Sequence, residues 1–166
     1  MTALAATAMI FSPGAASAAD PPVGDGKYHA ISNVSGLVLE REGRCANPTG
    51  YAIIDADSQV NAQLFRFDLN AEGTVYIYDR CGALRSRALT APSQAGGRVG
   101  MQAYESTRAD QKWNVTKDSS GRLTITSVAG GYALDTDGTA ALSEVVANTP
   151  DPQSSTQRWA VVSTVP

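Results

Sequence analysis

Apolar and polar positions alternate with period two along most of the chain. That period predicts short, half-buried β-strands. Val75 and Ile77 fall on one face, as do Leu123 and Ile125. Thr74, Tyr76 and Tyr78, and Thr124 and Thr126, fall on the other. The alternation resumes at Phe65, Phe67 and Leu69, at Trp113 and Val115, and at Trp159 and Val161. Clusters of turn formers separate these runs, for example Pro92-Ser93-Gln94-Ala95-Gly96-Gly97 and Thr149-Pro150-Asp151-Pro152. Nothing beyond residue 20 carries the pattern of a long amphipathic helix.

The alternation sits inside an internal repeat. Gln63-Leu64-Phe65, Gln111-Lys112-Trp113 and Gln157-Arg158-Trp159 place a glutamine two residues before an aromatic, at spacings of 48 and 46. Ile31, Ile77 and Ile125 recur at 46 and 48. A third mark is a leucine followed by a polar residue: Leu39-Glu40, Leu84-Arg85 and Leu134-Asp135. The units span about 24–69, 70–117 and 118–166. About four strands per unit gives about twelve in all. Units of this size cannot each bury a core, but three together close a barrel and cap it with hairpins, leaving no long free edge. The predicted fold is an all-β trefoil of three pseudo-repeats. Phe65, Trp113 and Trp159 are expected to pack about the pseudo-threefold axis. Gln63, Gln111 and Gln157 are expected to bond to loop backbone.

Charge and composition narrow the function. The 166 residues hold 13 basic and 16 acidic side chains, net −3, so the basic excess of a phosphate-neutralising nucleic-acid binder is absent. Two cysteines and one histidine exclude a four-ligand Cys/His zinc site. Residues 1–19 are uncharged: an apolar run through Leu4, Met9, Ile10 and Phe11, a break at Pro13-Gly14, then Ala16-Ser17-Ala18. This reads as a secretory signal cleaved near Ala18 or Ala19, with its basic start upstream, and leaves a domain over 20–166. The run is too short to span a membrane. In an oxidising compartment Cys45 and Cys81 are expected to pair, closing a loop of about 36 residues. No cofactor is implied, and a monomer is the default.

The chain resembles the ricin B-type β-trefoil lectins found in secreted actinobacterial proteins. The resemblance rests on Asp110-Gln111-Lys112-Trp113, Thr156-Gln157-Arg158-Trp159, Ala62-Gln63-Leu64-Phe65 and Ala133-Leu134-Asp135, and covers the whole chain after the signal. It implies up to one shallow sugar site per unit. An acidic side chain early in the unit accepts from two hydroxyls, an aromatic on the third strand stacks on the pyranose, and a polar residue before the glutamine adds a bond. Such weak sites act together. The third unit offers Asp135 and Asn148, has no aromatic near Val145-Val146, and has Thr156 before its glutamine. The second offers Tyr104 and Asp110, with Arg85 at the acidic position. The first offers Glu40, with Ala56 and Ala62 elsewhere. No unit holds the full set, and the third is favoured.

The leading function is therefore a secreted carbohydrate-binding, lectin-like protein. The alternative is a secreted β-trefoil protease inhibitor or other protein-binding trefoil. It would use Arg44-Cys45-Ala46-Asn47-Pro48 or Arg85-Ser86-Arg87-Ala88 as its inserting loop. An enzyme is not expected. His29 aligns with the apolar slots of Val75 and Leu123, so it reads as a packed residue rather than a catalytic base. Glu40 and Asp135 occupy equivalent places in different units, too far apart for paired carboxylate chemistry. Gly96-Gly97-Arg98-Val99-Gly100 lacks the Lys-Ser/Thr of a phosphate loop. Asn33-Val34-Ser35 and Asn114-Val115-Thr116 are read as chance matches to the glycosylation sequon.

Overall fold

The computed structural model describes residues 22–47 and 50–166. The expected signal segment lies outside the described residues. Among the described residues thirteen strands form one sheet system, four in each outer unit and five in the middle one. The first unit holds β1 (Tyr28–Ser32), β2 (Val38–Arg41), β3 (Ala52–Asp55) and β4 (Phe65–Leu69). The second holds β5 (Val75–Asp79), β6 (Arg87–Thr90), β7 (Gly97–Arg98), β8 (Gly100–Ala103) and β9 (Trp113–Lys117). The third holds β10 (Leu123–Ser127), β11 (Ala133–Thr136), β12 (Val145–Asn148) and β13 (Ala160–Val165).

The outer strands of each unit make a six-stave barrel. Long antiparallel ladders join β4 to β5, β9 to β10 and β13 to β1. Single pairs at His29–Phe65, Val75–Trp113 and Leu123–Trp159 close the seams between them. The inner strands form three hairpins, β2–β3, β6–β8 and β11–β12, which cap one end. Cross-unit bonds at the axis knit the cap. Ala52 N–H donates to Val99 O at 2.8 Å, and Val99 N–H to Val145 O at 2.9 Å. This is the β-trefoil that the repeat predicts.

The three aromatics do what their spacing implies. Phe65, Trp113 and Trp159 are fully buried in one cluster with Ile31, Ile77 and Ile125. The indole N–H of Trp113 donates to Leu89 O at 2.9 Å, and that of Trp159 to Leu134 O at 3.0 Å. These two bonds correct the third repeat mark. The second-unit counterpart of Leu39-Glu40 and Leu134-Asp135 is Leu89-Thr90, five residues beyond Leu84-Arg85. The β5–β6 connection is longer than its equivalents, and Leu84-Arg85 falls in that loop, with Leu84 exposed and Arg85 at φ 61°. The strand beyond the expected twelve is β7, a two-residue stretch paired with Val146 and Ala147 of β12.

Cys45 and Cys81 form the expected disulfide, with Cα atoms 5.2 Å apart. It ties the β2–β3 loop of the first unit to the β5–β6 loop of the second. A buried ion pair lies beside it: Arg41 donates to Asp79 at 2.7 Å, and Cys81 N–H to the other Asp79 oxygen at 3.3 Å. Burial pushes the Asp79 carboxyl above its ordinary value, although Arg41 pulls the other way.

Candidate functional site

One hydrogen-bond pattern recurs in all three units and defines the candidate sites. Each repeat glutamine is buried and holds the residue that follows the second-strand leucine. Gln63 Nε2 donates to Glu40 Oε2 at 2.6 Å and to Ala56 O at 2.8 Å, while Gln63 Oε1 accepts from Ser58 N–H at 2.9 Å. Gln157 Nε2 donates to Asp135 Oδ2 at 3.0 Å and to Thr149 O at 3.1 Å, and its Oε1 accepts from Asp151 N–H at 2.8 Å. Gln111 repeats this with Thr90 Oγ1 at 3.3 Å, Ala103 O at 2.8 Å and Glu105 N–H at 2.9 Å. The expected bonds to loop backbone are present. The side-chain bond to the acidic position is an addition that the linear pattern did not show. The second unit thus carries a neutral threonine at that position, not Arg85.

The third unit brings together two of its expected residues. Asn148 Nδ2 donates to Asp135 Oδ2 at 3.0 Å across the β11–β12 hairpin. The Asp135 carboxylate also accepts from Thr136 N–H at 2.7 Å through its other oxygen, and it is only 5% exposed. It is well oriented, but most of its capacity is taken.

The second unit is differently employed. Tyr104 stands in the aromatic place but packs edge-on against Tyr76 and Tyr78, with ring centroids 5.0 and 5.3 Å apart. It covers the outer barrel wall there. Burial raises the Tyr78 phenol well above its ordinary value, and Tyr104 adds to the effect. Asp110 is held by a two-pronged contact from Arg108 at 2.6 and 3.0 Å, and Arg108 also donates to Gln102 at 2.9 Å. That contact raises the Arg108 guanidinium above its usual value.

The first unit presents a concave surface, and a second cleft of about 610 Å³ lies along β8 of the second unit, lined by Arg87, Gln102, Glu105 and Arg108. Glu40, Glu42, Gly43, Arg44, Ile53 and Asp55 line a cleft of about 490 Å³, whose far wall comes from Arg98, Leu142 and Glu144 of the other units. Glu40, as buried as Asp135 with 4% of its side chain exposed, presents Oε1 to Arg44 Nε at 3.4 Å, and the Arg44 side chain is 56% exposed. Arg98 is fixed between Glu42 at 3.2 Å and Glu144 at 3.1 Å, with its guanidinium 4.1 Å from the Tyr51 ring centroid. Two cleft residues hold left-handed backbone without being glycine, Arg44 at φ 55° and Leu142 at φ 67°. An L side chain there costs roughly 1 kcal/mol or more, and such strain gathers at functional surfaces. The Leu142 side chain is 66% exposed, so it offers an apolar face beside the polar groups. Arg98, Leu142 and Glu144 escape a linear reading because they reach the cleft only across the pseudo-threefold axis.

Of the two segments considered for protease insertion, each begins in a tight turn, and Arg87 and Ala88 of the second already belong to β6. Arg44 lies in a 3-10 turn, and Arg85 in a left-handed turn, tied to Asp68 at 2.7 and 2.8 Å. Pro48 lies outside the described residues. His29 is buried, with Nδ1 2.9 Å from Thr164 Oγ1 and Nε2 3.2 Å from Asp25 Oδ1. The Asn33 side chain is buried, whereas Asn114 is exposed on β9.

A family model, the ricin-type beta-trefoil lectin domain, matches residues 27–159. No curated protein sequence matches significantly. Among solved structures, the designed threefold-symmetric protein ThreeFoil superposes with TM-score 0.74 at 21% identity, over 84% of this chain and 99% of that one. The exo-β-1,3-galactanase 1,3Gal43A from Clostridium thermocellum gives 0.73 at 21% identity, over 84% of this chain but 31% of the enzyme. SeviL bound to asialo-GM1 saccharide gives 0.61 at 18% identity, over 82% and 96%. At these identities the structures speak for the fold. The matched family model, the Gln-x-aromatic core and the three-unit barrel agree, and the chain belongs to the ricin-type beta-trefoil lectin domain family.

Proposed function

We propose that this is an exported carbohydrate-binding protein whose best-formed sugar site is the first-unit cleft. The observation that carries it is Glu40, a carboxylate held by Gln63 in the wall of a cleft, with an exposed guanidinium and an exposed leucine beside it. A pyranose offers vicinal hydroxyls and an apolar C–H patch. Glu40 and Asp55 accept from hydroxyls, Arg44 donates to ring or hydroxyl oxygens, and Leu142 covers the patch. The Asp135–Asn148 pair of the third unit is a second, shallower site. The second unit contributes least, because Thr90 replaces the carboxylate and Tyr104 is engaged with the barrel wall. Export is supported by the disulfide, which persists in oxidising compartments, and by the signal-like sequence of residues 1–19. The inserting-loop reading gains no support from backbone held at positive φ.

Galactose units occur in the printed names of neighbours, among them a Polyporus squamosus lectin bound to Neu5Aca2-6Galb1-4GlcNAc. The disaccharide Galβ1–4GlcNAc is therefore the first probe. Amide chemical shifts are followed during its titration into wild type, Glu40→Gln and Asp135→Asn. Saturable shifts at Gly43, Arg44 and Leu142 that vanish in Glu40→Gln support the proposal. Shifts confined to Asp135 and Asn148 that vanish only in Asp135→Asn would move the site to the third unit.

A further inference from the structure

The largest cavity described lies at the opposite end of the barrel from the sugar cleft. It holds about 890 Å³ between the stretch from Pro22 to His29 and the β9–β10 turn. Its floor is apolar, made by Leu123, Ala160 and Val161. Its rim carries Lys27, Lys117 and Arg122, with one carboxylate, Asp25, among them.

Lys117 is the unusual member. Trp113, Val115 and Lys117 form the inward row of β9, and Lys117 pairs in register with the buried Leu123. The barrel's internal row therefore ends on a cation at the mouth. Among the described residues, Lys27, Lys117 and Arg122 take part in no ion pair. Of the chain's 13 lysines and arginines, seven are in ion pairs, and three of the remaining six line this one cavity. The nearby acids are otherwise committed. Asp25 bonds to the Lys27 N–H and the His29 ring. Asp118 accepts from the backbone of Ser120 and Arg122 within the β9–β10 turn. A chain of net charge −3 thus gathers three cations without ion-pair partners around one cavity, where their summed field favours an anion.

We propose that the barrel mouth is an oxyanion-binding site, in which Lys117, Arg122 and Lys27 hold a sulfate, phosphate or carboxylate group. This site is independent of the Glu40 cleft. The group arrives as a free inorganic anion or as the acidic substituent of a saccharide, and the cavity has room for the attached ring.

His29 is the only histidine and lines the cavity, so its imidazole signals report on the site without assignment by mutation. Sodium sulfate and sodium phosphate are titrated into the protein at constant ionic strength, with chloride as the balancing salt. Saturable shifts of the His29 ring signals are expected. They should weaken about tenfold or more in Lys117→Gln/Arg122→Gln, the loss expected for two charge-assisted contacts. Arg80→Gln, a change on a cation outside the cavity, should leave the affinity unchanged. Glucose 6-sulfate and glucuronate are then compared with sulfate. Tighter binding of the sugar forms identifies an acidic saccharide, and equal binding identifies the free anion. Shifts that stay linear to tens of millimolar, or that persist unchanged in a double variant with wild-type circular dichroism, would overturn the proposal.

Discussion

Replacing each buried glutamine by leucine, one at a time, makes the pseudo-threefold its own control. Each side chain makes three hydrogen bonds and fills a similar volume. The three differ in what the second-strand residue presents. Gln111 loses three neutral bonds, at about 1 kcal/mol each, for a total of about 3 kcal/mol. Gln63 and Gln157 each lose two neutral bonds and one to a carboxylate, which is worth about 1.5–3 kcal/mol, for totals of about 3.5–5 kcal/mol. Glu40 suffers more than Asp135. Its bond from Gln63 is 2.6 Å, and its remaining cation, Arg44, is exposed and 3.4 Å away. Asp135 keeps Asn148 and Thr136. The expected order of cost is Gln63→Leu, then Gln157→Leu, then Gln111→Leu. Urea unfolding followed by fluorescence suits the test, because both tryptophans are buried. A Gln111→Leu variant as destabilised as Gln63→Leu, at unchanged denaturant slope, would refute the reasoning.

Three further outcomes follow from the same structure. Cys45→Ala/Cys81→Ala releases a cross-link across 36 residues of chain, and a loss of about 4 kcal/mol is expected in denaturant unfolding; a loss under about 1 kcal/mol would contradict the chain-entropy account. Asp79→Ala strands the buried Arg41 charge and should cost about 3–5 kcal/mol, most of it recovered in Arg41→Met/Asp79→Leu; no recovery in the double variant would show that packing, not charge, is lost. Hydrogen bonds from the Ser120 hydroxyl and the Arg122 and Ser120 N–H groups hold the Asp118 carboxyl below its ordinary 3.8. A lowered acid stabilises the fold above its unfolded value and loses that contribution as pH falls through the folded one. The melting-temperature advantage of wild type over Asp118→Asn should therefore be full at neutral pH and vanish in acid; an advantage that grows in acid would reverse the sign.

The barrel was legible because it is periodic. Gln-x-aromatic and isoleucine marks at spacings near 47 report residues that must meet on one axis, and Phe65, Trp113 and Trp159 meet there. The disulfide was legible from an even cysteine pair, and His29 from its alignment with Val75 and Leu123. Legibility fails where length varies. The long β5–β6 connection places a second leucine-polar step at Leu84-Arg85, which imitates the strand residue while Thr90 holds the position. It fails again where contacts cross the axis. Glu40 reads as one of several charges on a strand, and only the approach of Arg98, Leu142 and Glu144 turns its surroundings into a cleft. Tyr104 follows β8 directly, but its packing on Tyr76 and Tyr78 depends on two rings from the barrel strand β5, which alternation alone does not bring beside it.

The central claim is that this trefoil binds carbohydrate through the Glu40 cleft. A glycan array probed with labelled wild type and with Glu40→Gln tests it most directly, since a dense surface reveals weak sites through avidity. Binding to a defined set of glycans by wild type, lost in a folded Glu40→Gln variant, is expected. An array blank for wild type, or binding that survives the substitution unchanged, would contradict the claim.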